Sequence, residues 1–217
     1  MPEIIPSIIA FSKEDFLSKL RLVEPYVRKV HLDVMDGNFV AAKTVDFEIL
    51  KGLKTRVKIE AHLMIEEPWA YVKEYALYCD TVLFHWEACK DEKELMGTIV
   101  RIREKKKKVG IVINPDTQVS MIKKIIPLVD QVLIMTVMPG SYGAPLVREA
   151  LEKIKQVRKI SHRLNIETDG AMKVGTARIA AMKGADMIVA GSAIMLSDNP
   201  KKAIKALRDD VKLSSRG

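Results

Sequence analysis

Val109-Gly110-Ile111-Val112-Ile113 and, further along, Val132-Leu133-Ile134-Met135 are two short runs without a charged residue. A strand with one wet face alternates apolar and polar residues. These runs do not alternate, which is the pattern of parallel strands covered on both faces. Between them, residues 119–125 read as a helix, and the same strand–helix alternation extends in both directions. Strands are expected at 3–9, 30–35, 57–64, 81–86, 109–113, 131–137, 164–168 and 187–190. The first helix starts after Ser12, whose hydroxyl can cap the turn that holds Asp15. Later helices are expected near 47–53, 69–78, 92–104, 119–125, 146–160, 175–182 and 201–211. Eight strand–helix units with no Ser/Gly-rich linker between them predict an α/β protein, a single closed (β/α)8 TIM barrel forming one catalytic domain over residues 1–217. An open doubly wound sheet ranks second, because no Gly-x-Gly-x-x-Gly turn follows the first strand.

Hydrophobic residues make up 48% of the chain and charged residues 29%, a balance that argues against disorder. No apolar run approaches the ~20 residues of a membrane-spanning helix. Met1-Pro2-Glu3 lacks the basic start of a signal peptide, so a soluble cytoplasmic protein with no membrane partner is expected. Cys79 and Cys89 lie on either side of an apolar strand roughly 20 Å long, too far apart to pair, since a disulfide needs Cα atoms within about 7 Å. Lys and Arg total 36 against 28 Asp and Glu, a net charge of +8. That excess suits an anionic partner. Its densest run, Lys105 to Lys108, ends a helical pattern, where positive charge complements the helix dipole. No zinc-finger spacing, RNA-binding aromatic signature or clear helix-turn-helix pattern is present. A phosphorylated small molecule is therefore expected rather than nucleic acid.

In a barrel of this kind the C-terminal strand ends build the active-site face. Polar residues collect at those ends here. Ser7 lies near the end of the first strand, His31 and Asp33 lie on the second, and His62 on the third. His85 and Glu87 follow on the fourth, Asn114 on the fifth, Asp169-Gly170 on the seventh and Gly191-Ser192 on the eighth. His31 and Asp33 are two apart, so both side chains face one way. With His62 and Asp169 they offer four ligands of metal-binding type. A hydrogen-bonded His–Asp pair bracing the barrel is the plain alternative for His31 and Asp33 alone. His85-x-Glu87 has the same spacing and is a rival ligand pair. Gly170 and Gly191-Ser192 follow the last two strands, where barrels often hold phosphate on backbone N–H groups. The plain alternative is two tight turns. Met35, Met64 and Met135 are core filler or walls of a cavity.

Taken together these stretches resemble the ribulose-phosphate 3-epimerase family. The matching runs are Pro6-Ser7-Ile8-Ile9, His31-Leu32-Asp33-Val34-Met35-Asp36-Gly37-Asn38-Phe39-Val40, His62-Leu63-Met64, His85-Trp86-Glu87-Ala88 and Asn114-Pro115. Met135 to Gly140, Asp169-Gly170 and Val189 to Ile194 complete the series in the family's order. The resemblance implies a (β/α)8 barrel with one divalent metal cation (Zn, Fe, Mn or Co) held by His31, Asp33, His62 and Asp169. It implies Asp33 and Asp169 as the acid/base pair. It also implies substrate contacts from Ser7, His62, Gly140, Ser141, Tyr142, Gly143, Gly170, Ala171, Gly191 and Ser192. A homo-oligomer is expected.

The implied reaction inverts C3 of a phosphorylated ketose, D-ribulose 5-phosphate to D-xylulose 5-phosphate, through an enediolate. One carboxylate removes a proton and the other returns one to the opposite face. The sequence departs from the family pattern at the rim. Gly140-Ser141-Tyr142-Gly143-Ala144 stands where Gly-Phe-Gly-Gly-Gln is usual, Ala171 replaces a glycine, and Ala41-Ala42 replaces Pro-Asn. These changes keep open a ketohexose phosphate such as allulose 6-phosphate as substrate. A non-catalytic sugar-phosphate binder is a third reading, opposed by the intact set of carboxylates and imidazoles. Related lyases and decarboxylases use Asp-x-Lys-x-x-Asp; here Asp33-Val34-Met35-Asp36 lacks the lysine.

Overall fold

The computed structural model describes residues 1–140 and 143–213. Eight parallel strands close into a barrel in chain order. They are β1 Glu3–Ile9, β2 Lys29–Met35, β3 Lys58–Met64, β4 Thr81–His85, β5 Lys108–Ile113, β6 Gln131–Met135, β7 Asn165–Asp169 and β8 Met187–Ala190. The ring shuts where Ile4 pairs with Ile188 and Pro6 with Ala190. The (β/α)8 reading of the sequence is borne out. The helices are α1 Lys13–Val23, α2 Val72–Tyr78, α3 Glu92–Glu104, α4 Glu152–Ile160, α5 Thr176–Lys183, α6 Ser192–Met195 and α7 Pro200–Lys212.

Two expected helices are only tight 3-10 turns, at Phe47–Leu50 and Val119–Ile122. The first is opened by the Asp46 carboxylate on the Glu48 N–H and is soon followed by Gly52 at φ +70°. The second segment has little room between Pro115 and Pro127, and its bonds run Met121 N–H to Gln118 O and Ile125 N–H to Ile122 O. The 146–160 helix likewise begins with a 3-10 turn before α4. Strand β6 stops at Met135, two residues earlier than expected, because the Thr136 hydroxyl turns to the Asp169 and Gly170 carbonyls. At α1 the Ser12 hydroxyl accepts from the Asp15 N–H at 3.1 Å, as the sequence predicts.

Alternation along each strand divides the molecule into an outer and an inner layer. On β2, Val30, Leu32 and Val34 join the large core between strands and helices; on β3, Ile59, Ala61 and Leu63 do the same. Each of the Val, Leu and Ile side chains, when fully buried, contributes roughly 1.5–3 kcal/mol. The intervening residues face the barrel axis. Around β4, β5 and β6 most of that inner face is apolar, built by Leu83, Val112, Leu133 and Met135, and its polar members include His85 on β4 and Gln131 on β6. Gly110 makes room for it: a Cβ there would lie 2.0 Å from Leu83 Cδ2. Around β2, β3 and β7 the inner face is polar, carrying His31, Asp33, Glu60, His62, Glu167 and Asp169.

Candidate active site

The polar half of the barrel brings together the residues that the sequence scatters over 139 positions of chain, from His31 to Asp169. Asp33 and His62 are direct partners in the β2–β3 register, and Asp169 sits opposite Met135 and Val189 on β7. One donor atom from each of His31, Asp33, His62 and Asp169 lies within 4.8 Å of the other three. Asp33 Oδ1 is 3.0 Å from His62 Nδ1 and 3.4 Å from His31 Nε2. The Ser7 hydroxyl donates to the other Asp33 oxygen. His31 and His62 are completely buried.

Burial alone would push both aspartates up. The His31 charge, and the His62 hydrogen bond and charge, instead hold Asp33 below the usual carboxylate range. At Asp169, burial and the adjacent Asp33 charge outweigh the His31 charge and a hydrogen bond from the Gly170 backbone, and bring it up to about 7. Burial draws His62 down to about 4, against its hydrogen bond with Asp33 and with the help of the neighbouring His31 and His85 charges. Burial also opposes a charge on His31, but Asp33 and Glu60 beside it outweigh this and raise it well above the ordinary range. Two carboxyl groups pushed apart in this way mark a site able to hold and give protons.

Above the cluster opens a cleft. Ser7, Gly140, Gly143, Gly170, Ala171, Gly191 and Ser192, all expected at the substrate, line it together with Asp33 and Asp169. Ser141 and Tyr142 lie outside the described residues. His62, expected to touch substrate as well, does not line the cleft; its ring is buried between Asp33 and His85. Met35, Met64 and Met135 form part of the wall. Gly170 has φ +106°, and a Cβ there would fall 2.6 Å from Val137 Cγ2, so the chain can turn inward here only as glycine. Ala171 follows at φ +50°, in the region where a glycine is at ease.

His85 and Glu87, the rival ligand pair, stand outside the four-residue cluster. His85 Nε2 is 2.9 Å from His62 Nε2, and His85 Nδ1 is 3.3 Å from Glu87 Oε2. A layer beneath the cluster is absent from the residues singled out by sequence. Glu60 meets His31 Nδ1 at 2.9 Å and Lys29 Nζ at 2.9 Å, while the Gln131 amide donates to Glu167 at 2.8 Å. A signal for it exists: Glu60 and Glu167 precede His62 and Asp169 by two residues, so each pair faces the same way. His31, Glu60 and Glu167 form a second group within metal-ligand reach. Lys29 already supplies the positive charge that this group needs.

The model of the Ribulose-phosphate 3 epimerase family matches residues 3–195. A curated relative, the ribulose-phosphate 3-epimerase of Bacillus subtilis (strain 168), is 36% identical over 96% of this chain and 99% of its own. The chain belongs to the ribulose-phosphate 3-epimerase family. Its named relatives are isomerases, and the chain is an enzyme of that class. They include the ribulose-phosphate 3-epimerase, cytoplasmic isoform, of Oryza sativa subsp. japonica, 32% identical over 96% of this chain and 94% of its own. Among solved structures, KGPDC from Streptococcus mutans superposes with a TM-score of 0.74 at 14% identity, over 99% of both chains. That likeness establishes the shared barrel alone. Of the rim departures from the family's usual motifs, Ala144 and Ala171 line the cleft.

Proposed function

We propose that residues 1–217 form one catalytic domain that interconverts D-ribulose 5-phosphate and D-xylulose 5-phosphate with the help of one divalent cation. The observation that carries this reading is the pairing of Asp33 and Asp169 across one cleft, beside two buried imidazoles. The residues fit a cation. His31 Nε2 is buried without a hydrogen-bond partner, and the donor set is two nitrogens and two carboxylates within 4.8 Å, a combination that suits Zn, Fe, Mn or Co. His31, Asp33, His62 and Asp169 would hold it. When bound, such a cation supplies positive charge next to the substrate oxygens on which negative charge develops.

The chain's own groups do the proton work. β2 and β7 are separated by β1 and β8 around the ring, so Asp33 and Asp169 reach a substrate carbon from different sides. One carboxylate takes the C3 proton, leaving an enediolate, and the other carboxyl group returns a proton to the opposite face; the roles exchange in the reverse direction. The Ser7 hydroxyl fixes the Asp33 carboxylate for this task. Among the described residues no lysine or arginine lines the cleft. A phosphate is then met by backbone N–H groups around Gly170, Gly191 and Ser192. Ala144 and Ala171 in the cleft wall support a second reading, 3-epimerisation of a ketohexose phosphate such as allulose 6-phosphate. No helix among the described residues is long and apolar enough to cross a membrane; we assign the chain to the cytoplasm, as a homo-oligomer.

The test is a panel of D-ribulose 5-phosphate, allulose 6-phosphate and unphosphorylated ribulose, each incubated with enzyme and divalent metal and read for the C3 epimer. Ribulose 5-phosphate is expected to have the highest kcat/KM. A higher value for the hexose phosphate selects the second reading. Equal turnover of the unphosphorylated sugar removes the phosphate site, and no epimer from either phosphate removes the function.

A further inference from the structure

Two chains of hydrogen bonds end on the histidines of the cluster, and each runs through a carboxylate outside it. In the first, Lys29 Nζ donates to Glu60 Oε2 at 2.9 Å, and Glu60 Oε1 lies 2.9 Å from His31 Nδ1. Glu60 is completely buried and paired with a lysine, so it is an ionised acceptor with no proton to give. The proton of that bond therefore sits on His31 Nδ1. With a cation bound and His31 neutral, its lone pair is on Nε2, the buried nitrogen that has no hydrogen bond and lies 3.4 Å from Asp33.

The second chain is longer by one ring. Glu87 Oε1 accepts from the Asn114 N–H at 2.8 Å and from the Thr117 hydroxyl, which fixes the carboxylate. Its Oε2 faces His85 Nδ1 at 3.3 Å. A carboxylate there can only accept, so His85 carries its proton on Nδ1 and presents a lone pair at Nε2. That lone pair is 2.9 Å from His62 Nε2, which must then be the donor. The His62 nitrogen left for a cation is Nδ1, which in the absence of one shares a proton with Asp33 Oδ1 at 3.0 Å. The two histidines are thus set in opposite tautomers by different partners, with the same result: each aims a lone pair at the point between Asp33 and Asp169.

We infer that Glu60, and His85 together with Glu87, are positioning residues for the cation centre, each fixing the tautomer and ring orientation of one ligand histidine. This rests on the cation reading of the four-residue cluster. It also gives His85-x-Glu87 a role as support for a ligand in place of the ligand role that its spacing suggests. Partners of this kind typically change metal affinity by about 10–100-fold when altered.

The experiment measures Zn²⁺ affinity by competition with a chromophoric chelator for the wild-type protein, Glu60→Gln, Glu87→Gln and His31→Ala, with circular dichroism to confirm folding. Long-range ¹H–¹⁵N spectra of the Zn²⁺-loaded wild type, labelled at histidine, report the tautomers. We expect His31 protonated at Nδ1 and His62 at Nε2, and Zn²⁺ bound about 10–100-fold more weakly by Glu60→Gln and about 10-fold more weakly by Glu87→Gln. Glu87 is on a partly exposed turn, so its variant tests the idea even if Glu60→Gln does not fold. Wild-type Zn²⁺ affinity in the folded variants, or either histidine in the other tautomer, overturns the inference and leaves the cation reading standing. Zn²⁺ failing to bind the wild type, with His31→Ala no different, overturns the cation reading and this inference with it.

Discussion

Two pairs of acids face the barrel axis, one above the other. Asp33 and Asp169 sit at the mouth; Glu60 and Glu167 sit one layer below, on β3 and β7. Asp33, Glu60 and Glu167 are buried and Asp169 is half-buried at the cleft, and in both pairs the acids are driven apart. Asp33 and Glu60 are held below the ordinary carboxylate range by histidines, with Lys29 helping at Glu60, and their partners are raised by burial and by the charge across from them. What differs is the space between. Below, Lys29 reaches Glu60 and the Gln131 amide reaches Glu167, so the chain supplies its own cation and donor. Above, two imidazole nitrogens and a cleft face the aspartates, and no lysine or arginine among the described residues enters. The same strand alternation makes both layers. The layer that its own side chains fill is a brace, and the one they leave open is a site.

The largest break in this comparison is at the mouth. Asp33→Asn and Asp169→Asn, each first shown to retain metal, should reduce interconversion of the epimers by about 10²–10⁴-fold, the range for losing a general acid or base. Each variant still has one carboxylate, so in deuterated water one epimer should keep some exchange at C3. Wild-type interconversion by metal-loaded Asp169→Asn would falsify the two-carboxylate mechanism.

In the layer below, the sensitive member is the lysine. Lys29→Met leaves Glu60 buried beside no cation, and breaking a buried pair from one side costs about 3–5 kcal/mol. Urea denaturation at neutral pH measures it. A loss under about 1 kcal/mol would mean that Glu60 is not ionised there, and that the mouth and the layer below differ less than their neighbours suggest.

How much of this picture is legible in the sequence follows from the same alternation. Val30, Leu32 and Val34 announce a strand by being apolar on every second residue, and His31 and Asp33 between them announce a polar inner face. The mouth is legible for that reason, and the barrel because unbroken apolar runs such as 109–113 recur with helices between them. The short segments near Phe47 and Val119 resemble helices because apolar spacing over seven residues does not distinguish an α-helical stretch from 3-10 turns; Gly52, Pro115 and Pro127 decide otherwise. Glu60 and Glu167 obey the alternation too, but they stand away from the strand ends, where a barrel's chemistry is looked for first. His85 is a harder case. Its spacing to Glu87 equals that of His31 to Asp33, and only strand register and ring rotation put its Nε2 against His62. Which nitrogen of a ring faces which neighbour is not written in residue spacing.

The smallest expected effect is the most direct test of the contrast. Asp169→Asn and Glu167→Gln make the same chemical change, carboxyl to amide, two residues apart on one strand. At the mouth the change removes a proton carrier. One layer down there is one nearby lysine for two glutamates, and Glu60 takes it at 2.9 Å. Glu167 is raised well above its ordinary value by burial first and by Glu60 second, so it keeps its proton. A protonated carboxyl and a carboxamide have nearly the same shape, no charge, one acceptor oxygen and at least one donor. The Gln131 amide that now donates to Glu167 Oε2 can donate to the amide oxygen instead. Replacement of a neutral buried group by its isostere therefore leaves charge and hydrogen bonds in balance, and Glu167→Gln should shift stability by no more than about 1 kcal/mol and leave kcat within about threefold of wild type, a change of under ~0.7 kcal/mol in barrier. Denaturation curves and the epimerase assay on the two variants side by side decide it. If Glu167→Gln loses activity as Asp169→Asn does while remaining folded, the buried layer takes part in the chemistry and the division between brace and site is wrong.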